Sequence, residues 1–291
     1  MFQSLLSLLL ASSLSFASFG GESEAARFDD TTLLSVAKIP MQNEEFVEPA
    51  AMSADAILAI DLETQTILYE KNSVSRVPIA SLTKLMTAYL ILEENDPNAV
   101  VTVSNKASAA TGSRMGLYGG EEILVKNLLY GLFIESGNDA ALALAEFNAG
   151  SEAAFIEKMN LTAEMLGMGN THFANTTGLD SNNAYSTARD LAILSTHLLQ
   201  DESVREIVKN SKATVTSQSG TEHTLINTNI LLGQLGIKGL KTGTTASAGE
   251  CLIAIADGPA GHEVVSIVLG SENRFIDTKI LLDWIYRAYV W

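Results

Sequence analysis

A chain of 291 residues with 47% hydrophobic content is long enough for one large domain or two modest ones and can bury a sizeable core, which excludes a disordered protein. Its 18 Lys and Arg against 34 Asp and Glu give a net charge of -16, which repels nucleic acid and anionic lipid. One cysteine, Cys251, excludes an intramolecular disulfide framework, and four scattered histidines (His172, His197, His223, His262) lack metal-ligand spacing, so neither a metal nor a cofactor is expected.

The opening "MFQSLLSLLLASSLSFASFGG" is a short apolar run followed by small residues, with Ser15 and Ala17 where a signal peptidase would read them. It predicts a signal peptide over residues 1–17 and export of the remainder, although no Lys or Arg precedes Arg27. The run is too short to span a bilayer comfortably. Residues 18–54 mix Gly, Ser, Glu, Ala and Asp without periodicity and read as an acidic flexible linker, so one folded domain is expected over 55–291.

That domain opens with "AILAIDLETQTILYEKN", two runs rich in Ile, Leu and Tyr around Glu63, Thr64 and Gln65, which predict a hairpin. "PIASLTKLMTAYL" follows, where Leu82, Leu85, Met86, Tyr89 and Leu90 recur at the spacing of a buried helical stripe. A polar, irregular stretch, "SNKASAATGSRMGLYGGEE", leads into "ILVKNLLYGLFI" and "DAALALAEFNAGSEAAFIEKMNLTAEML", both helical by composition and period. After a turn-rich loop, "TARDLAILSTHLLQD" resumes helix, with Ser186 or Thr187 able to cap it. "IKGLKTGTT", "CLIAIADG" and "HEVVSIVLGS" then read as three strands, the last two joined by a turn at Asp257, Gly258 and Pro259. An amphipathic helix closes the chain, its Trp284, Tyr286 and Tyr289 reading as a docked face. The fold class is α+β: an antiparallel sheet in which N-terminal strands pair with C-terminal ones, flanked by helices and a helical subdomain.

Three motifs carry chemistry. Ser81 and Lys84 stand one turn apart at the head of a helix, where a lysine desolvated by Leu82 and Leu85 can act as base for a serine that is a poor nucleophile alone. The Ser81 backbone N–H, at a helix N-terminus, is free to donate to a developing oxyanion. "SGN" at Ser136 to Asn138 opens another helix with a hydroxyl and an amide, and "KTG" at Lys241 to Gly243 places a lysine and a glycine on a predicted core strand, where both are unusual. Each is weak singly. Ser35 and Lys38 repeat the first motif in the linker, and the second recurs at Ser181 and Ser271. Cys251 reads as a small buried residue and His172 as a loop residue with local hydrogen bonds.

The order SxxK, SxN, KTG resembles the penicillin-recognising serine hydrolases. "ASLTKLMTAYL", "SRMGLYGGEEILVKNLLYGLFIESGNDAALALAE", "THFANTTGLD", "AYSTARDLAILS" and "GLKTGTTASAGECLIAIA" are similar to the low-molecular-mass D-alanyl-D-alanine carboxypeptidases over roughly residues 55–285. The resemblance implies a β-lactamase/DD-peptidase-like fold and a serine enzyme that removes the terminal D-alanine from peptidoglycan stem peptides through an acyl-enzyme on Ser81, inhibited by β-lactams. It implies Lys84 as base, Ser136 as proton relay, and Asn138, Lys241, Thr242, Gly243 and Thr244 around the substrate, with the Ser81 and Thr244 N–H groups as oxyanion hole. It places the protein in the periplasm or at the extracytoplasmic surface.

The chain stops at Trp291. Many relatives continue into a β-rich domain and an amphipathic anchor, so no C-terminal membrane anchor is expected. Thr244 stands where some relatives carry histidine. Rival readings are a DD-endopeptidase with the same motifs, a β-lactamase, disfavoured because SGN replaces SDN and no ExxLN lies between Ser136 and Lys241, and a non-catalytic cell-wall binding module, disfavoured because every motif position is chemically competent.

Overall fold

The computed structural model describes residues 38–44 and 47–291. The expected signal peptide, the linker residues 18–37 and Ser35 of the second SxxK copy lie outside the described residues. Residues 38–44 and 47–54 of the expected linker are part of the body. Strand β1 (Met41–Gln42) pairs antiparallel with residues 289 and 290, Trp284 Nε1 donates to Val47 O at 2.7 Å, and Asp277 Oδ2 accepts from Ser53 Oγ at 2.8 Å and Ala54 N at 2.9 Å. The folded unit therefore begins well before Ala54. These contacts are backbone pairings and single polar anchors, which leave no apolar period in the sequence.

The expected hairpin is β2 (Ala56–Asp61) and β3 (Ile67–Lys71), its turn held by Asp61 Oδ1 accepting from Thr64 N at 2.7 Å. A 3-10 turn, Ala80–Thr83, runs into α1 (Lys84–Glu94), whose Leu85, Met86, Leu90 and Ile91 are buried. The stretch read as irregular is more ordered than its composition suggests: β4 (Val100–Thr102) precedes α2 (Asn105–Ser108) and pairs with β5 (Glu122–Leu124). Strands of three residues are too short to show a period. Then come α3 (Val125–Tyr130), a π-helical turn Gly131–Glu135, α4 (Asn138–Ala149) and α5 (Glu152–Met165). Thr187, rather than Ser186, caps α6 (Ala188–Leu198) by accepting from Asp190 N at 3.0 Å. After α7 (Glu202–Val208) stands a hairpin absent from the sequence reading, β6 (Lys212–Thr216) with β7 (Glu222–Ile226). The three late strands are β8 (Ile237–Thr245), β9 (Gly249–Asp257) and β10 (Glu263–Ser271), and α8 (Arg274–Ala288) and β11 (Tyr289–Val290) end the chain.

Five strands form an antiparallel sheet in the order β3-β2-β10-β9-β8, so the first hairpin joins the last strands through β2 and β10, as expected. Alternation sorts the side chains onto two faces. Leu58, Ile60, Ile253, Ile255, Val265 and Ile267 join the core shared with the helical subdomain, and Ile57, Ala59, Leu252, Ala254, Val264 and Val268 pack on Leu281, Leu282 and Ile285 of α8. With both faces covered, the central strands read as continuous apolar runs. One strand differs from expectation: β8 lies at the edge of the sheet, not inside it. It is buried all the same, because the Ala80–Thr83 turn and α7 lie against it.

Candidate active site

Ser81 is half-buried in the 3-10 turn that feeds α1, and residues three apart in such a turn meet on one side. Lys84 Nζ lies 3.0 Å from Ser81 Oγ, 2.6 Å from Asn138 Oδ1 and 2.6 Å from Thr177 O. The lysine is 1% exposed, and it has no carboxylate partner among the described residues. Burial first, then the charge of Lys241, hold its pKa well below the ordinary lysine value, with Asp139 opposing in part. A lysine in this state is disposed to be the neutral amine that takes a proton from a serine.

The turn itself is strained. Ala80 has φ 48°, a left-handed backbone that a residue with a Cβ rarely adopts. Two glycines close on it: a Cβ on Gly178, at φ +82°, would stand 1.9 Å from Ala80 O, and one on Gly243 would stand 3.0 Å from Ser81 N. Only glycine lets the 176–178 loop and the β8 edge approach the serine so closely.

Ser136 ends the π-helical turn at φ 60° and ψ 34°, a conformation costing a non-glycine residue on the order of 1–3 kcal/mol. Such strain in a buried serine is a pointer to function, because packing must hold it in place. Its Oγ accepts from Lys241 Nζ at 2.8 Å, and Nζ also donates to Thr242 O at 3.0 Å. Lys241, 1% exposed, has its pKa brought down to about 7 by burial and then by the charge of Arg274. Asn138 is fixed on three sides: its N–H donates to Ser113 O at 2.7 Å, its Nδ2 to Thr111 O at 2.5 Å, and its Oδ1 faces Lys84. Thr242 Oγ1 lies 2.6 Å from Thr228 Oγ1, and Thr244 Oγ1 donates to Gly243 O at 2.8 Å.

All three motifs therefore meet at one place. Ser81, Lys84 and Asn138 form one polar cluster and Ser136 with Lys241 a second, and Gly243 backs directly onto Ser81.

Residues 43–273 match the family model described as D-alanyl-D-alanine carboxypeptidase, peptidase S11. The chain belongs to this family of D-alanyl-D-alanine carboxypeptidases. It is 37% identical over 248 residues to D-alanyl-D-alanine carboxypeptidase DacF of Bacillus subtilis, covering 82% of this chain, and 35% identical over 263 residues to DacC of Escherichia coli, covering 84%. It spans 64% of the length of each of these two relatives. The crystal structure of the Streptomyces K15 DD-transpeptidase shares the fold with a TM-score of 0.77 at 32% identity, covering 83% of this chain and 100% of that one.

Three features of this family member's site had no role in the sequence reading. Thr177 contributes a backbone carbonyl to Lys84, which no side-chain motif can announce, although Gly178 beside it marks a close approach. Asp139, wholly buried, accepts from the N–H groups of Met115, Gly116 and Leu117 at 3.0, 2.9 and 3.1 Å and so ties the 115–117 segment to the start of α4. Arg274, at the head of α8, donates to Gly243 O at 2.8 Å and contacts Thr244 Oγ1, which brings a guanidinium to the KTG strand from the far end of the sequence. Cys251 is buried in β9, and burial pushes its thiol up to about 11, so it stays an inert thiol. His172 Nδ1 lies 2.7 Å from Asn183 O, a contact within its own loop.

Proposed function

We propose that this chain is a serine DD-carboxypeptidase of peptidoglycan stem peptides, with Ser81 as nucleophile. The observation that carries the reading is Lys84: an amine 3.0 Å from Ser81 Oγ, buried and with no carboxylate in hydrogen-bond contact among the described residues. Ser81 Oγ attacks the carbonyl of the penultimate D-alanine while its proton passes to Lys84. The oxyanion that forms is met by the N–H groups of Ser81 and Thr244. As it collapses, the carbon–nitrogen bond breaks, Ser136 delivers a proton to the departing D-alanine, and the ester on Ser81 is then hydrolysed by water. Lys241 and Arg274 give the β8 end of the cleft a positive potential in a chain of net charge -16, and the Thr242 and Thr244 hydroxyls meet the terminal carboxylate. Asn138 holds Lys84 and the substrate amide.

A substrate in the cell wall puts the enzyme outside the cytoplasmic membrane, with residues 1–17 as its export signal. No helix of the described residues is long and apolar enough to cross a membrane. The test is intact mass of the protein with benzylpenicillin over time, beside Ser81→Ala. A long-lived adduct of one penicilloyl group, absent from the variant, with D-alanine released from an acyl-D-Ala-D-Ala peptide, supports the reading. Rapid loss of the adduct with drug turnover would instead indicate a β-lactamase, and no adduct a binding module.

A further inference from the structure

A carboxylate at the end of the proposed substrate needs hydrogen-bond donors, and a threonine hydroxyl has one proton to give. At the KTG strand most such donors are already engaged. Lys241 Nζ is divided between Ser136 Oγ at 2.8 Å and Thr242 O at 3.0 Å, and Thr244 Oγ1 donates to Gly243 O at 2.8 Å. Thr242 Oγ1 differs: its one partner among the described residues is another hydroxyl, Thr228 Oγ1, at 2.6 Å. Either oxygen can be the donor in that pair. When Thr242 donates, its proton points away from the cleft and the carboxylate meets a lone pair. When Thr228 donates, Thr242 keeps its proton for the carboxylate, which as a charged acceptor is the stronger one. Two hydrogen bonds in series then polarise each other in the same direction.

Thr228 sits in a run, Asn227-Thr228-Asn229, to which the sequence reading gave neither an element nor a role. Both asparagines turn their side chains onto the backbone. Asn227 Nδ2 donates to Asn210 O at 2.9 Å, Asn227 Oδ1 accepts from Asn229 N at 2.8 Å, and Asn229 Oδ1 accepts from Leu231 N at 3.1 Å. Such local bonds on either flank fix where the middle side chain points. That middle residue is tied to both halves of the site. Its N–H donates to Ile134 O at 3.2 Å, in the π-helical turn that ends at Ser136, and its hydroxyl reaches the KTG strand.

We propose that Thr228 is a positioning residue for the terminal carboxylate: its hydroxyl donates to Thr242 Oγ1 and thereby turns the Thr242 proton towards the substrate. The assignment rests on the DD-peptidase reading above. Thr228 acts through Thr242 and not on the reacting atoms. The carboxylate is held in the ground state and the transition state alike, so loss of this bond weakens binding and leaves the chemical step alone.

The experiment measures kcat and KM for D-alanine release by the full chain from diacetyl-L-Lys-D-Ala-D-Ala. Thr228→Val, which keeps the shape and removes the hydroxyl, is expected to raise KM about 3- to 10-fold, the range for one hydrogen bond, with kcat within about twofold. Thr228→Ser, which restores the hydroxyl, is expected to bring KM back to that of the unmodified protein. In a Thr242→Val background, Thr228→Val is expected to add nothing, because the partner through which it acts is gone. Thr228→Ala serves for the same comparisons where Thr228→Val fails to fold. An unchanged KM in Thr228→Val overturns the proposal, as does a Thr228→Ser protein as impaired as Thr228→Val. A fall in kcat equal to the fall in kcat/KM, or losses that add to those of Thr242→Val, also overturns it, since Thr228 then only braces the Ser136 turn. These outcomes leave the DD-peptidase reading standing. No D-alanine release from the unmodified protein overturns the role of Thr228, and together with no penicilloyl adduct it overturns both readings.

Discussion

The two edges of the main sheet are built from the same backbone and treated in opposite ways. At the β3 edge only Leu68 of the strand is buried, and its Lys71 reaches sideways to the carbonyls of Met52 and Ala54 at 3.3 and 2.7 Å. A lysine there keeps an open edge from pairing with another chain. At the β8 edge, Lys241 is 1% exposed, a strained turn stands alongside, and glycine replaces a side chain where the two backbones meet. Both edges carry a lysine. At β8, burial brings the pKa of Lys241 down to about 7.

The sharpest way to break the comparison is at the roof of the β8 edge. Lys84→Met is expected to lower the acylation rate by benzylpenicillin about 10²- to 10⁴-fold, the range for loss of a general base, and to cost about 1–3 kcal/mol in stability, because Asn138 Oδ1 and Thr177 O lose a buried donor. Stopped-flow acylation checks it. Gly178→Ala drives a Cβ into Ala80 O and is expected to cost about 2–4 kcal/mol in chemical denaturation and to impair acylation as well. Gly150→Ala has a similar positive φ of 75° but nothing within 4 Å, so it should cost about 1 kcal/mol and leave acylation alone.

Lys241→Met should lower kcat/KM about 10- to 100-fold for a peptide with a free terminal carboxylate, as expected for losing a hydrogen bond to a charged group. Its counterpart on the other edge, Lys71→Met, should leave kcat/KM unchanged. The finest distinction is in pH. Lys241 titrates at about 7, and its protonated form is the one that attracts a carboxylate, so kcat/KM for the peptide should fall as pH rises through that value. A bound carboxylate favours the protonated lysine, so the alkaline limb of kcat should lie higher than that of kcat/KM. A kcat/KM profile flat from pH 6 to pH 9 would remove Lys241 from the binding step.

Much of this molecule is legible in the chain because its elements are long. The α1 stripe, the apolar β9 and β10, and the amphipathic α8 each repeat their period often enough to show. The β4–β5 pair and β1 escaped because two or three residues cannot establish a period, and β1 finds its partner at residues 289 and 290; the β6–β7 hairpin, though local, escaped because its strands carry few apolar residues. Within the site, side-chain motifs could be read and backbone contributions could not: the Thr177 carbonyl and the N–H groups that Asp139 collects belong to no residue type. Arg274 was overlooked for another reason. It reads as an ordinary first-turn residue of a surface helix until α8 is laid across the sheet beside Gly243.

By itself the sequence determined the types of the long elements and the chemistry on offer, because periodicity and motif spacing are local properties of a chain. It also placed the Ser81 and Lys84 pair, since three residues along one helical turn fix that distance. Only the tertiary structure decided that β8 is an edge, that Ser136 meets Lys241 across 105 residues, and that neither buried lysine hydrogen-bonds a carboxylate among the described residues. Desolvation is a property of everything packed around a group, and for these two lysines that surrounding comes from segments distant in the chain.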